Sequence, residues 1–139
     1  MTSPVAGPVA VTVLHNPSCS TSRYAVETLA GAGAGLTVRR YLDDPLDEAA
    51  LREVVAILED PVSDLVRRGP EFERAGLTPE DVADVDGVVA TLLAHPGLMQ
   101  RPVLVVGGRA VIGRPRARVD DLVERARRGR PVDAGPVDA

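Results

Sequence analysis

Residues 9–23 read VAVTVLHNPSCSTSR. The β-branched run over 9–14 is typical of a buried strand, and a His-Asn-Pro loop ends that strand. Apolar residues at helical spacing follow from about residue 21 until the first of several closely spaced glycines, Gly31. The sequence therefore predicts a strand, a short loop and a helix, with the single cysteine, Cys19, in the loop.

The remaining chain alternates between helical and strand-like periodicity. Asp47 is a good N-cap for a helix with apolar residues at i, i+3, i+4 and i+7, and Thr78 followed by Pro79 opens a further helical stretch. Two apolar runs flank Gly107 and Gly108, which is a β-hairpin pattern. The predicted elements are a strand over 36–42, a helix over about 47–60, a helical piece over 62–66, a helix from 78 to 95, strands over 103–106 and 109–112, and a helix over about 118–128.

These elements follow the order β-α-β, helices, β-hairpin and a final helix. An open βαβ unit followed by a hairpin and a covering helix describes an α/β protein with a thioredoxin-like sheet and a helical insertion. A chain of 139 residues has the length of one domain. The ends, 1–8 and 129–139, lack apolar periodicity, so we expect flexible tails around a single domain over 9–128.

Composition excludes several classes of function. All 16 basic residues are arginine, 20 residues are acidic and the net charge is −4, which together with only three aromatic residues disfavours a nucleic-acid partner. No apolar run reaches the roughly 18 residues of a membrane span, and the N-terminus has no basic export signal, so we expect a cytoplasmic protein without a membrane segment. One cysteine excludes an internal disulfide and a cysteine-built zinc site, and we expect no bound metal.

Cys19 lies where chemistry is usually presented in an α/β sheet, between a strand end and a helix start. Backbone N–H groups and the helix dipole there favour a thiolate, so Cys19 is a candidate nucleophile. The alternative role for Cys19 is that of a small buried hydrophobic residue. Its polar neighbours in the sequence favour the nucleophile over this alternative. His15 is either a proton relay for the thiol or a hydrogen-bonded structural residue, and Arg23 is a surface residue of the first helical turn or an anion ligand.

The segment His15-Asn16-Pro17-x-Cys19-x-Thr21-Ser22-Arg23 resembles the active-site segment of the thioredoxin-fold, glutaredoxin-linked arsenate reductases, which belong to the ArsC/Spx superfamily. Three further segments are similar to the family's arginine-bearing segments, in the same order and at similar spacing: Leu65-Val66-Arg67-Arg68, Gln100-Arg101-Pro102-Val103 and Gly113-Arg114-Pro115. The resemblance runs from about residue 11 to residue 123. It therefore covers nearly all of the predicted domain.

The resemblance implies a basic pocket in which Arg67, Arg101 and Arg114 hold an arsenic oxyanion beside Cys19. Guanidinium groups suit that role because they stay charged and offer forked donors to tetrahedral oxyanions. Arg68 is the alternative to Arg67, since the two are adjacent and the loop is about one residue shorter than in the family. The resemblance also implies supporting residues near the thiol, including a cis proline that faces the cysteine: His15, Ser22 and Pro102.

The other charged residues are expected to lie on the surface. The arginines outside the matched segments are predicted to be surface charges: Arg109, Arg116, Arg118, Arg125, Arg127 and Arg128. The acidic residues of the helical insertion are predicted to be solvated: Glu48, Glu53, Asp81 and Asp84. No pair of them is placed for acid–base catalysis.

The activity that the resemblance implies is reduction of arsenate, or a similar oxyanion, to arsenite by a monomer with no bound cofactor. Because the chain has one cysteine, an external thiol must complete turnover, either glutathione with glutaredoxin or mycothiol with mycoredoxin. The all-arginine composition suggests a GC-rich genome, which makes the mycothiol pair a hypothesis. Two alternatives stay open, a thiol-dependent reductase of another substrate and an Spx-like regulator that binds RNA polymerase. The complete arginine set and Ser22, where Spx-like proteins often carry a second cysteine, favour the enzyme.

Overall fold

The structure, a computed structural model, describes residues 9–127. A four-stranded mixed sheet with strand order β2-β1-β3-β4 forms its centre. The strands are β1 (Ala10–His15), β2 (Gly35–Arg40), β3 (Val103–Val106) and β4 (Arg109–Ile112). β1 pairs in parallel with β2 and antiparallel with β3, and β3 pairs antiparallel with β4. The predicted thioredoxin-like α/β architecture is confirmed.

Helices cover both faces of this sheet. They are α1 (Ser20–Gly31), α2 (Glu48–Ile57), α3 (Pro70–Arg74), α4 (Val85–Ala94) and α5 (Ala117–Arg127), with 3-10 turns at Val62–Leu65, Pro79–Val82 and Pro96–Leu98. No helix among residues 9–127 is both long and apolar enough to cross a membrane. The predicted tails at 1–8 and 129–139 lie outside the described residues.

The alternation of side chains along the central strands divides the core into two halves. Val13 and Leu104 pack on the face covered by α1 and α5. Leu14 and Val103 point to the opposite face, where residues of α2, α4 and the connecting turns surround them. Because successive strand residues point to opposite faces, β1 and β3 are buried on both sides, as their continuous apolar sequence predicts.

The hairpin and the first helix follow the predicted local signals. Val106 pairs with Arg109 across a two-residue turn in which Gly107 adopts a φ of +60°. This left-handed backbone favours glycine, so the turn prediction is confirmed. Gly33 has a φ of +80° just after α1 and donates its N–H to the Ala30 carbonyl, which ends the helix.

The insertion between β2 and β3 departs from the prediction of one helix over 78–95. A 3-10 turn ends at Val82, and α4 starts anew because the Asp84 side chain accepts the N–H of Gly87 at 2.8 Å. Asp81 similarly accepts the N–H of Thr78 at 2.7 Å. Both carboxylates are exposed, as predicted, and they also cap helical turns.

The sheet register brings segments that are distant in sequence to the same end of the strands. Leu14 pairs with Val103, and Val103 pairs with Ile112, so the end of β1 lies beside the start of β3 and the end of β4. The loops at this end carry the cysteine and the second and third arginine segments. A bridge between Val66 and Met99 attaches the first arginine segment to the chain that leads into β3.

Candidate active site

Cys19 is the N-cap residue of α1, and its thiol lies among hydrogen-bond donors. Burial acts to raise the pKa of Cys19, but the backbone N–H groups of Ser22 and Thr21 and the guanidinium of Arg101 act in the opposite direction. Their combined effect exceeds that of burial, and the pKa of Cys19 lies below its ordinary value. The thiol is half-buried, so it remains accessible to a reactant. These are the properties of a nucleophilic thiolate.

The side chains of Arg101 and Arg114, from the loops before β3 and after β4, both lie near the sulfur of Cys19. Nη1 of Arg114 lies 3.7 Å from Sγ of Cys19 and donates to the Arg101 carbonyl at 3.3 Å. The Arg101 side chain interacts with the thiol and donates to the Gly97 carbonyl at 3.3 Å. The structure therefore brings three of the predicted residues together. Two guanidinium groups beside one thiolate form a site suited to an oxyanion.

A close contact between two loops sets the position of Arg114. The N–H of Gly113 donates to the Pro102 carbonyl at 2.8 Å. A Cβ atom on Gly113 would lie 2.9 Å from Cγ of Pro102 and 3.3 Å from Cγ2 of Val119, so only glycine fits there without a shift. The Arg101–Pro102 peptide bond is cis, as the resemblance implied, and the Arg114–Pro115 bond is cis as well.

The two adjacent arginines of the first segment lie in different surroundings. The charge of Arg67 acts on the buried hydroxyl of Tyr41, as do the charges of Arg101 and Cys19. Arg67 also donates its backbone N–H to the Leu98 carbonyl at 2.7 Å. Arg68 instead lines a neighbouring cavity, with its Nη2 4.0 Å from a carboxylate oxygen of Asp64. The two arginines therefore lie in different surroundings, Arg67 near Tyr41 and Arg68 at the cavity that Arg114 also lines, and Arg67 stays the predicted ligand.

His15 and Ser22 form a buried pair beneath the cysteine loop. Nδ1 of His15 lies 2.7 Å from Oγ of Ser22, and this Oγ also accepts the N–H of Asn16 at 3.0 Å. Burial, followed by the charges of Arg40 and Arg23, lowers the pKa of His15. A neutral imidazole held by Ser22 fits the structural alternative for His15, since its bonded partner is a serine that shapes the loop.

Three further residues also shape the site: Asn16 and Arg23, which belong to the active-site segment quoted from the sequence, and Tyr41, which no sequence motif singles out. Oδ1 of Asn16 accepts the N–H of Ser18 at 2.9 Å, and Arg23 donates to the Pro17 carbonyl at 2.7 Å. Tyr41 is fully buried beside the thiol, and its hydroxyl lies 3.5 Å from the Met99 carbonyl. Burial is the main cause that raises the pKa of Tyr41, so the phenol stays neutral. A single tyrosine within the predicted strand over 36–42 carries no sequence signal for this position.

A cavity of about 250 Å³ adjoins the site. It is lined by Asp60, Asp64, Val66, Arg68, Gln100, Ile112, Arg114 and Arg118. Arg118 donates to Asp60 at 2.6 Å, and the second oxygen of Asp60 accepts the N–H of Ile112 at 2.9 Å. The Arg118 side chain is 35% exposed and that of its partner Asp60 14%, so the pair is partly buried and the expectation that Arg118 is a simple surface charge is wrong. Arg109 likewise pairs with Glu59. Among residues 9–127, no three His, Cys, Asp or Glu side chains come together as they would at a metal site.

Comparison with known proteins places this geometry in a family. The ArsC family model matches residues 14–122. An arsenate reductase from Escherichia coli is 32% identical over 120 residues, covering 86% of this chain and 84% of the relative. An uncharacterized protein in the glnII region of Streptomyces viridochromogenes is 37% identical over 114 residues, covering 79% of this chain and 96% of the relative.

Solved structures give the same result. An arsenate reductase from Vibrio cholerae superimposes with a TM-score of 0.70 at 26% identity, covering 83% of this chain and 98% of that one. A second structure, described as a putative arsenate reductase from Yersinia pestis, has a TM-score of 0.66 at 29% identity and covers 80% of this chain and 98% of its own. The matched span includes the cysteine loop and all three arginine segments, and on this evidence the chain belongs to the ArsC family.

Proposed function

We propose that this protein reduces arsenate to arsenite with Cys19 as its nucleophile and an external thiol as its reductant. The observation that carries the proposal is the placement of one thiol of lowered pKa beside two guanidinium groups, with Nη1 of Arg114 at 3.7 Å from Sγ. The arsenate reductases among the relatives support the choice of substrate. Cys19 is the catalytic residue of this proposal.

Arg101 and Arg114 bind the oxyanion from the loops at the strand ends beside Cys19, and Arg67 is the third arginine that binds it. Arginine suits this task because its charge persists at all physiological pH values and its fork matches pairs of arsenate oxygens. Arg67 pairs with Glu71 only at 3.8 Å, and its side chain is 41% exposed, so it can turn toward an incoming anion. His15 and Ser22 support the reaction by holding the loop that carries the thiol.

In the first step, Sγ of Cys19 attacks the arsenic atom of the bound arsenate. A sulfur–arsenic bond forms and one arsenic–oxygen bond breaks. The departing hydroxyl takes up one proton and leaves as water; counted from the neutral thiol, this is the proton that Cys19 released when it became a thiolate. The arsenic stays at oxidation state five, so this step transfers no electrons. The arginines stabilise the negative oxygens as the arsenic becomes more crowded.

In the second step, the sulfur of a low-molecular-weight thiol attacks Sγ of Cys19. A disulfide bond forms, the sulfur–arsenic bond breaks, and its electron pair stays on arsenic. Arsenic is thereby reduced from state five to state three while two thiols are oxidised to one disulfide. The proton of the external thiol passes to the arsenite that leaves. A redoxin with two thiols then reduces the mixed disulfide and restores Cys19.

The external pair is glutathione with glutaredoxin or mycothiol with mycoredoxin. The need for such a pair follows from the single cysteine, since one thiol supplies only half of a disulfide. The reaction takes place in the cytoplasm, where small thiols are kept reduced.

Mass spectrometry of the intact protein tests the first step. After incubation with arsenate and no external thiol, we expect the intact mass to increase by one arsenic oxyanion less one water, and digestion to place this increase on the peptide that contains Cys19. The Cys19→Ser variant provides the control, since it keeps the arginines and removes the nucleophile. Arsenate-dependent NADPH oxidation with each thiol–redoxin pair then identifies the reductant. Turnover that survives in Cys19→Ser contradicts the mechanism.

A further inference from the structure

The cavity beside the thiol contains an unusual buried atom. Oε1 of Gln100 is inaccessible to solvent and has no hydrogen-bond partner among the described residues. A buried acceptor without a donor is unfavourable, and such atoms normally have a partner. Gln100 lines the cavity of about 250 Å³, so rotation of its terminal amide toward the cavity lets a molecule there with an N–H or O–H group supply the missing donor.

The charges around this cavity do not suit a second oxyanion. Arg68, Arg114 and Arg118 contribute three positive charges, but Asp60 and Asp64 lie among them. Asp60 already accepts from Arg118 at 2.6 Å, and Arg68 lies 4.0 Å from Asp64. Carboxylates repel an arsenate ion, and Oε1 of Gln100 is itself an acceptor. A polar organic molecule that has both donors and acceptors fits this lining better.

The cavity also lies next to the reacting sulfur. Arg114 is part of its wall, and Nη1 of the same side chain is 3.7 Å from Sγ of Cys19. The Arg114 side chain therefore contacts both the cavity and the thiol. A molecule held in the cavity needs to extend only past Arg114 to contact Cys19.

We infer that this cavity binds the body of the small thiol that attacks Cys19, with a peptide N–H of that thiol donating to Oε1 of Gln100 after the side-chain amide has turned toward the cavity. The inference rests on the proposed function, because it assigns a place to the reductant of that reaction. Glutathione and mycothiol share the required chemistry, a cysteine unit that carries amide N–H groups. The apolar side chains of Val66 and Ile112 line the same cavity and can contact the carbon skeleton of that unit.

Binding is measured without any chemistry in the Cys19→Ser protein. The probes are S-methylglutathione and S-methylmycothiol, which cannot form disulfides. Titration followed by backbone amide spectra of the labelled protein is expected to shift the signals of Gln100 and Ile112 with at least one probe. Gln100→Leu, combined with Cys19→Ser, is expected to weaken that binding about five-fold, since one hydrogen bond to a buried acceptor is lost.

Arg52→Ala, also combined with Cys19→Ser, serves as the matched control. Arg52 is ion-paired with Glu48 and Asp86, just as Arg68 and Arg118 are paired with aspartates of the cavity. It lies on α2 and does not line the cavity. Its loss is expected to leave the affinity unchanged. Arg68→Ala distinguishes the two sources, because it weakens binding of the dicarboxylate glutathione probe and leaves binding of the uncharged mycothiol probe.

The inference is overturned if neither probe shifts the cavity signals, or if Gln100→Leu binds the probe as well as its parent does. The signal shifts are read on protein with an intact cavity, so they do not depend on the folding of Gln100→Leu. Arsenate attachment to Cys19 is a separate measurement made without thiol. Failure of one experiment therefore leaves the other result interpretable.

Discussion

Nη1 of Arg114 lies 3.7 Å from Sγ of Cys19, although the two residues are 95 positions apart in the chain. The pairing of β1 with β3 and of β3 with β4 produces this proximity, because both pairings are antiparallel and β1 and β4 therefore end at the same end of the sheet. Arg114 also donates to the Arg101 carbonyl at 3.3 Å. The third arginine segment is therefore fastened to the second, and both face the thiol.

Replacing Arg114 with glutamine removes one charged donor while it retains much of the side chain's volume. Loss of a donor that stabilises developing charge lowers kcat by on the order of 10²- to 10³-fold. We expect a decrease of this size in arsenate-dependent kcat/KM, measured in the coupled assay. Arg52→Ala is the control, since its ion pairs with Glu48 and Asp86 lie on the insertion. Equal activity of Arg114→Gln and wild type would exclude a role in catalysis.

The lowered pKa of Cys19 predicts an early rise of reactivity with pH. Thiolate, not thiol, reacts with iodoacetamide, so alkylation of Cys19 should reach its plateau at a lower pH than alkylation of a free cysteine. Arg101→Gln removes a charge and a donor that lower this pKa, so its profile should move to higher pH and its rate at pH 7 should fall. The rate is followed by mass spectrometry of the intact protein. Superimposable profiles for the variant and the wild type would show that Arg101 does not act on the thiol.

Ser22 is fully buried, and its Oγ serves both His15 and the N–H of Asn16. Ser22→Ala leaves these two polar groups without their partner, which costs about 1–3 kcal/mol in the free energy of unfolding. Urea denaturation measures this loss. Ser20→Ala is the matched control in the same helix, and because Ser20 is exposed its effect should stay within about 0.5 kcal/mol. If the Ser22→Ala protein is as stable as the control, the hydrogen bond between His15 and Ser22 does not stabilise the fold.

His15 makes stability depend on pH in a defined direction. Its pKa is lowered in the folded chain, chiefly by burial, so below pH of about 6.5 the unfolded chain takes up a proton that the folded chain resists. Stability should therefore decrease as pH falls from about 6.5 toward the lowered pKa of the folded state, and change little above that window. His15→Asn, which cannot be protonated, should lose less stability between pH 7 and 5. Urea unfolding at both pH values makes the comparison, and identical losses in the two proteins would contradict it.

Gly113→Ala tests the contact that positions Arg114. Its Cβ atom would lie 2.9 Å from the Pro102 ring, so one of the two loops must move. Small displacements at a reacting centre are costly, and we expect kcat/KM to fall on the order of ten-fold. Gly108→Ala, at the other end of the same hairpin, has no atom within 4 Å of its added carbon and should keep its activity. If both variants keep wild-type kinetics, the contact between Gly113 and Pro102 does not control the site.

Local signals predicted most of the secondary structure because they act over a few residues. The β-branched run of β1, the Asp47 cap of α2 and the glycine turn between β3 and β4 all appear where the sequence places them. Prediction of one helix over 78–95 failed because Asp84 caps a new helix inside the stretch. An aspartate within an apolar periodic segment does not reveal from sequence whether it faces solvent or starts a turn.

Sequence alone determined which chemical groups are present and in which local conformation the thiol lies: one cysteine at the start of a helix, followed at intervals by segments that each contain arginine. Tertiary structure decided which of these groups meet. The strand register joins Cys19 to Arg114, the bridge from Val66 to Met99 attaches the segment of Arg67 and Arg68 to the chain before β3, and the Asp60–Arg118 pair forms part of the wall of a cavity. The reason is physical: capping and periodicity act between near neighbours in the chain, whereas these contacts depend on how whole strands pair and pack.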